Sequence, residues 1–201
     1  MNHSLPFSAA CERNQPFILK ELKPYFSEIS SVLEIGTGTA QHALYFAKSE
    51  THLTWQTADR EDYINGIRAQ LSFANLDNVL APITLDVNQA NWLSTDQKYQ
   101  AVYTANTLHI MDWPSVESFF AGIPKVTQAN ALLFIYGPFK YAGEFTSNSN
   151  GEFDQTLRLR GVGSAIRDFE AVQECANSVG FQLVKDISMP ANNQLLIWRK
   201  V

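Results

Sequence analysis

The run SVLEIGTGTAQHALYFA, residues 31–47, passes from β-branched and apolar residues into small residues at alternate positions, Gly36, Gly38 and Ala40, and then into a helix-like pattern. Such a strand-to-helix turn is expected to present backbone N–H groups to the crevice at the carboxyl edge of a sheet, where ligands bind. Glu34 precedes the turn, and two further acids, Asp59 and Asp86, close the next two β-rich runs, LTWQTAD and APITLD. A carboxylate at the second strand end can accept hydrogen bonds from both hydroxyls of a ribose. Asp86, or a backbone group beside it, can meet an adenine amino group, with Val87 against the ring face. A helix cap or a solvated loop end explains any one of these acids. Three at successive strand ends describe an adenosine-binding edge.

The dinucleotide fingerprint G-x-G-x-x-G needs a third glycine, and Gln41 stands there, which disfavours an NAD-dependent oxidoreductase even though Asp59 would suit NAD equally. No Lys-Ser/Thr pair follows the glycines, so a P-loop is excluded as well. The remaining pattern, Glu-x-Gly-x-Gly-x-Ala, suits S-adenosylmethionine, which has an amino acid end and no phosphate. Glu34 is expected to hold its ammonium group directly or through water, and Asn106, at the carboxyl end of the fourth strand, to contact its methionine portion. Near the start, Arg13 and Asn14 are expected to fold over the cofactor as an N-terminal cap, with Arg13 on its carboxylate. A surface helix capped by Asn14 explains the same residues.

Methyl transfer needs a positioned nucleophile and at most one base. His109, in TANTLHIMDW, is the best-placed candidate, because imidazole titrates near neutrality. A hydrogen-bonded wall residue is the competing reading. His42 is expected to pack or to trim the pocket, and Trp113 to line an aromatic wall or join the core. Asn106 is followed by Thr107, Leu108 and His109 instead of the Pro-Pro-aromatic motif of amino-group nucleic acid methyltransferases. The segment 138–167 reads as a long polar substrate loop. Tyr136, Asn148, Asp154, Arg158 and Arg167 are its candidate grips, and the arginines point to an anionic small molecule. Asp154 paired with an arginine is an equally good reading. Asn192 and Asn193, in MPANN, shape the pocket floor or simply make a turn.

These groups need a scaffold. Strands are expected at 31–36, 53–58, 81–87, 100–106 and 131–137, with helices between them at 14–26, 40–48, 61–74, 114–123 and 168–179. The last two β-rich runs, FQLVKDI and QLLIWRK, are joined by only SMPANN, too short for a helix, so they pair antiparallel. The fold class is therefore α/β: five parallel strands plus a C-terminal antiparallel hairpin, helices on both faces, in one domain whose residues 1–28 form the cap region. With 201 residues, 45% hydrophobic and 17% charged, the chain fits one globular domain. A net charge of -5 provides no diffuse field for nucleic acid. No apolar run reaches the roughly 18 residues of a membrane span. The N-terminal residues lack the pattern of a signal peptide, so a cytoplasmic location is expected. Cys11 and Cys175 have no partner at metal-ligand spacing, and no metal site is expected.

Together, CERN, LEIGTGTAQHALYFA, TLHIMDW, IYGPF, SNSNGEFDQTLRLR, IRDFE and MPANN resemble the methyltransferase-like family known as domain of unknown function 938, over nearly the whole chain. The resemblance implies a class I S-adenosylmethionine-dependent methyltransferase fold and no particular substrate. Where that family often reads EIASGTGQH this chain has EIGTGTAQH, so Gly36 replaces another small residue and Ala40 replaces a glycine. The added methyl is expected to trim cofactor affinity. A non-catalytic cofactor-binding or interaction protein on the same fold is the alternative function.

Overall fold

The computed structural model describes residues 5–93 and 96–201. Five strands run parallel: β1 (Ser31–Ile35), β2 (Thr54–Asp59), β3 (Val79–Thr84), β4 (Tyr99–Ala105) and β5 (Thr127–Gly137). The hairpin of β9 (Phe181–Met189) and β10 (Asn193–Lys200) completes one sheet in the order β3-β2-β1-β4-β5-β10-β9, with β10 antiparallel to β5. This is the expected sheet. Successive strands step outward from β1 to β3, and the chain then returns to place β4 on the other side of β1. At that reversal the loops after β1 and β4 diverge and leave a crevice. The register Ile35↔Ala58 and Ala105↔Tyr136 aligns the carboxyl ends, so residues from four different loops meet there.

Period-two alternation divides the core between the two faces of the sheet. Val32, Leu132 and Ile197 pack with Ile18, Leu22 and Phe26 of α1 (Ala9–Phe26) and Phe46 of α2 (Gln41–Ser49). Leu33, Leu133 and Trp198 pack with Phe119 and Ile123 of α4 (Trp113–Val126) and Val172 of α6 (Phe169–Ser178). Each fully buried side chain of this size contributes about 2 kcal/mol of transfer free energy. Helix α3 (Glu61–Ala74) packs on β2 and β3.

Two expectations change. Helix α1 begins at Ala9, where the Ser8 side chain accepts from the Cys11 N–H, so Asn14 lies inside the helix and does not cap it. The segment 138–167 is no open loop. It contains β6 (Phe139–Tyr141), β7 (Glu144–Phe145) and α5 (Asn148–Arg158), and β8 (Arg167–Asp168) pairs with β6. Helix α5 buries Asn150, Asp154 and Leu157, a helical spacing filled by two polar side chains, so hydropathy alone does not reveal it.

Candidate functional site

The turn after β1 is closed on its own scaffold. Gly36 and Thr37 donate their N–H groups to the Ala58 carbonyl at 2.9 and 3.2 Å, and Gly38 donates to Asp59 Oδ2 at 2.7 Å. Ala40 donates to the Thr37 carbonyl at 3.0 Å. These donors are spent on β2 and on the turn itself, contrary to the expectation that they face the crevice. A pyrophosphate would find few left, so the turn suits a ligand without phosphate. Gly36 has φ +76, and a Cβ there would lie 2.3 Å from Thr107 Cγ2, so a larger residue would have to displace the Thr107 side chain in the loop after β4.

Above this turn the crevice opens to about 1430 Å³. Gly36, Gly38, Asp59, Asp86, Val87 and Asn106 line it, with Arg13 and Asn14 entering from α1. Asp59 is 8% exposed, and its second oxygen accepts from the Arg60 N–H at 2.8 Å. Burial raises its carboxyl above the ordinary range, and these two backbone N–H bonds oppose that shift. Asp86 lies just beyond β3, where its Oδ1 accepts from the Asn88 N–H at 2.9 Å. Asn106 holds a left-handed φ of 58, a conformation asparagine tolerates, and donates its N–H to the Tyr136 carbonyl at 2.8 Å.

Glu34 and Ala40 lie outside this lining. Strand alternation sends the Glu34 side chain to the face that carries Val32, where it accepts from Trp55 Nε1 at 3.1 Å and from the Thr37 hydroxyl at 3.4 Å. It is 2% exposed, and burial pushes its carboxyl up to about 8. A largely protonated acid under the turn is a brace, unsuited to pairing with an ammonium group.

The crevice is also lined by His109, Tyr136 and Asn193 together with Asn150, Phe153 and Arg160, which sequence reasoning did not select. His109 is 6% exposed and lies edge-on to Phe153 at 5.4 Å. Burial, then the charges of Arg167 and Arg160, lower its imidazole to about 4, so it is neutral at physiological pH. Burial also lowers His42 to about 4; its Nε2 lies 2.7 Å from Asn14 Oδ1. Tyr136 is raised by burial, against side-chain hydrogen bonds with Asn14 and Asn193.

The structure does not bring Asn148, Asp154, Arg158, Arg167, Trp113 or Asn192 into this lining. Arg158 pairs with Asp154 at 2.6 Å, and the other Asp154 oxygen accepts from the Ile166 N–H at 2.7 Å. Arg167 donates to the carbonyls of Leu108 at 3.0 Å, Gly163 at 2.9 Å and Met111, and its guanidinium lies over the Trp113 ring. Trp113, Arg158 and Arg167 line a separate hollow of about 610 Å³. Asn148 is exposed in the first turn of α5, and Asn192 donates to Ser149 Oγ at 3.2 Å. Among the described residues, no group of three or more His, Cys, Asp or Glu could hold a metal ion. No helix among them is long and apolar enough to cross a membrane.

The family described as "Protein of unknown function (DUF938)" matches residues 5–200, and the chain belongs to it. Similar solved structures include an O-methyltransferase family protein from Burkholderia thailandensis, with a TM-score of 0.78 and 13% identity over 92% of this chain and 58% of that one. The S-adenosylmethionine-dependent methyltransferase SibL in its apo form gives 0.79 and 17% over 96% and 56%. PigF with SAH gives 0.75 and 13% over 92% and 57%. The chain thus spans little more than half the length of these proteins. At such identities the likeness shows the fold, which is that of class I S-adenosylmethionine-dependent methyltransferases.

Proposed function

We propose that this member of the DUF938 family is an S-adenosylmethionine-dependent methyltransferase of small molecules. The observation that carries this reading is the crevice itself. Asp59 lines it, a turn with its N–H groups already engaged lies beneath, and a neutral His109 lines it as well.

The residues present fit that cofactor. Asp59 keeps acceptor capacity for ribose hydroxyls, Asp86 and Val87 offer an edge and a face to adenine, and the Arg13 side chain has no hydrogen-bond or ion-pair partner among the described residues and suits a carboxylate. Asn106 and Asn14 suit the amino acid end. When bound, S-adenosylmethionine supplies an electrophilic methyl group on sulfur. The protein's part is to orient an acceptor in the crevice, exclude water and take up its proton at His109.

The test is calorimetry with S-adenosylmethionine. Asp59→Ala is expected to weaken binding at least about tenfold, the scale of hydrogen bonds to a charged acceptor. Equal affinity in the variant defeats the assignment. The alternative of a binding protein without turnover draws on one observation, that His109 is a weak base in its present surroundings. Tight cofactor binding without methyl transfer to any acceptor would support it.

A further inference from the structure

The part of the crevice where His109 meets Phe153 has a chemistry of its own. Its walls include Phe153, Ile110, Pro138 and Pro190, apolar surfaces matched to a flat ring. Arg160 lines the same crevice, near enough for its charge to act on His109, two residues beyond the end of α5 and next to Gly161, which has a φ of +70. Arg158 is paired with Asp154 and Arg167 is spent on three carbonyls, whereas the Arg160 side chain has no hydrogen-bond, ion-pair or ring partner among the described residues. Asp112, an acid that also lines the crevice, is engaged as the cap of α4, accepting from the Ser115 N–H at 2.9 Å. A guanidinium left free at the mouth of an apolar pocket is a fork for a carboxylate.

Resting on the methyltransferase reading above, we infer that the acceptor is a hydroxy-aromatic acid whose carboxylate is held by Arg160 while its ring lies against Phe153 and its hydroxyl faces His109. In the transfer step the acceptor oxygen forms the new O–CH₃ bond and the S–CH₃ bond breaks with its electron pair left on sulfur, giving a neutral thioether. The hydroxyl proton passes to His109. A weakly basic imidazole removes a proton readily only from an acidic hydroxyl, which a phenol supplies and an aliphatic alcohol does not. The positive field of Arg160 and Arg167 that disfavours the imidazolium favours a bound anion by the same Coulomb interaction.

The probes are para-hydroxybenzoate and para-hydroxyphenylacetate, each beside its neutral methyl ester. Their binding is followed by calorimetry with and without S-adenosylmethionine, and turnover by methyl ether formation. At least one acid should bind about tenfold or more tightly than its ester, the scale of a charge-assisted pair. Arg160→Gln should abolish that preference, leave the ester unchanged and spare cofactor affinity. Arg158→Gln, altered outside the crevice, should retain it. The inference is overturned if neither acid is preferred to its ester, or if Arg160→Gln leaves the preference intact. Acid binding that depends on Arg160 in a protein that fails to bind S-adenosylmethionine would instead overturn the methyltransferase reading and keep the anion site.

Discussion

Gln41 and Ser8 exchange two hydrogen bonds: the Ser8 N–H donates to Gln41 Oε1 at 2.6 Å, and Gln41 Nε2 donates to the Ser8 carbonyl at 3.2 Å. The side chain that occupies the place of the third dinucleotide glycine therefore clamps the start of α1 to the start of α2. Arg13 and Asn14 follow within two turns of α1 and line the crevice. Gln41→Gly should lose both, together with the bond that the Thr39 hydroxyl donates to Gln41 Oε1 at 2.9 Å, about 1.5–4.5 kcal/mol for the three. Amide exchange at Cys11 and Glu12 should quicken, and S-adenosylmethionine affinity should fall. Unchanged exchange there would show that α1 is held by its apolar face alone.

Gly36 and Thr107 are coupled by the 2.3 Å approach a new Cβ would make to Thr107 Cγ2. Gly36→Ala should cost about 2–4 kcal/mol, combining left-handed strain with overpacking. Thr107→Ser removes the offending methyl, so in the double variant only the backbone part, about 1–2 kcal/mol, should remain. Urea unfolding of the four proteins measures this; strictly additive effects would disprove the contact.

Ala40 replaces a glycine of the family pattern at φ 60 and is fully buried. The left-handed conformation costs about 1–2 kcal/mol. Glycine would give most of this back through unfolded-state freedom, about 0.4–1 kcal/mol, and through the lost burial of a methyl, about 0.8 kcal/mol. Ala40→Gly should therefore leave stability within about 1 kcal/mol of the parent, by the same terms. Since Ala40 lies outside the crevice lining, cofactor affinity should change little. A large gain in calorimetric affinity would mean that the methyl reaches the ligand after all.

Three buried groups shape the dependence of stability on pH. His42 and His109 are lowered from 6.5 to about 4, so their contribution is complete above pH 6.5 and is lost as pH falls toward 4. Glu34 is raised from 4.5 to about 8, so its contribution is complete below 4.5 and is lost as pH rises toward 8. Between 6.5 and 8 only Glu34 changes, and stability should rise on acidification. Between 4.5 and 6.5 two histidines outweigh one acid, and stability should fall. The three groups together place the maximum near pH 6.5. Glu34→Gln should flatten the alkaline side and steepen the acid side, where the two histidines then act unopposed. Melting temperatures from pH 5 to 9 test this, and an alkaline slope that persists in Glu34→Gln would remove Glu34 as its cause.

Much of this was legible along the chain. The alternation of apolar strands with amphipathic helices, the short SMPANN link and the acids closing successive strands follow from local periodicity and turn chemistry, and they determined the sheet and the edge where Asp59, Asp86 and Asn106 gather. Even the burial of Glu34 was implicit, since a two-residue period sets it on the side of Val32, beneath α1 and α2. Helix α5 was hidden because the positions it buries include Asn150 and Asp154, whose partners are elsewhere in the chain. Which arginine is free to meet a ligand was equally out of reach. Arg158, Arg160 and Arg167 are alike in sequence; what separates their side chains is an ion pair across one helical turn, no partner among the described residues, and carbonyls as distant in sequence as Leu108. A side chain's type sets what it can bind, but tertiary contacts decide whether its donors are already satisfied.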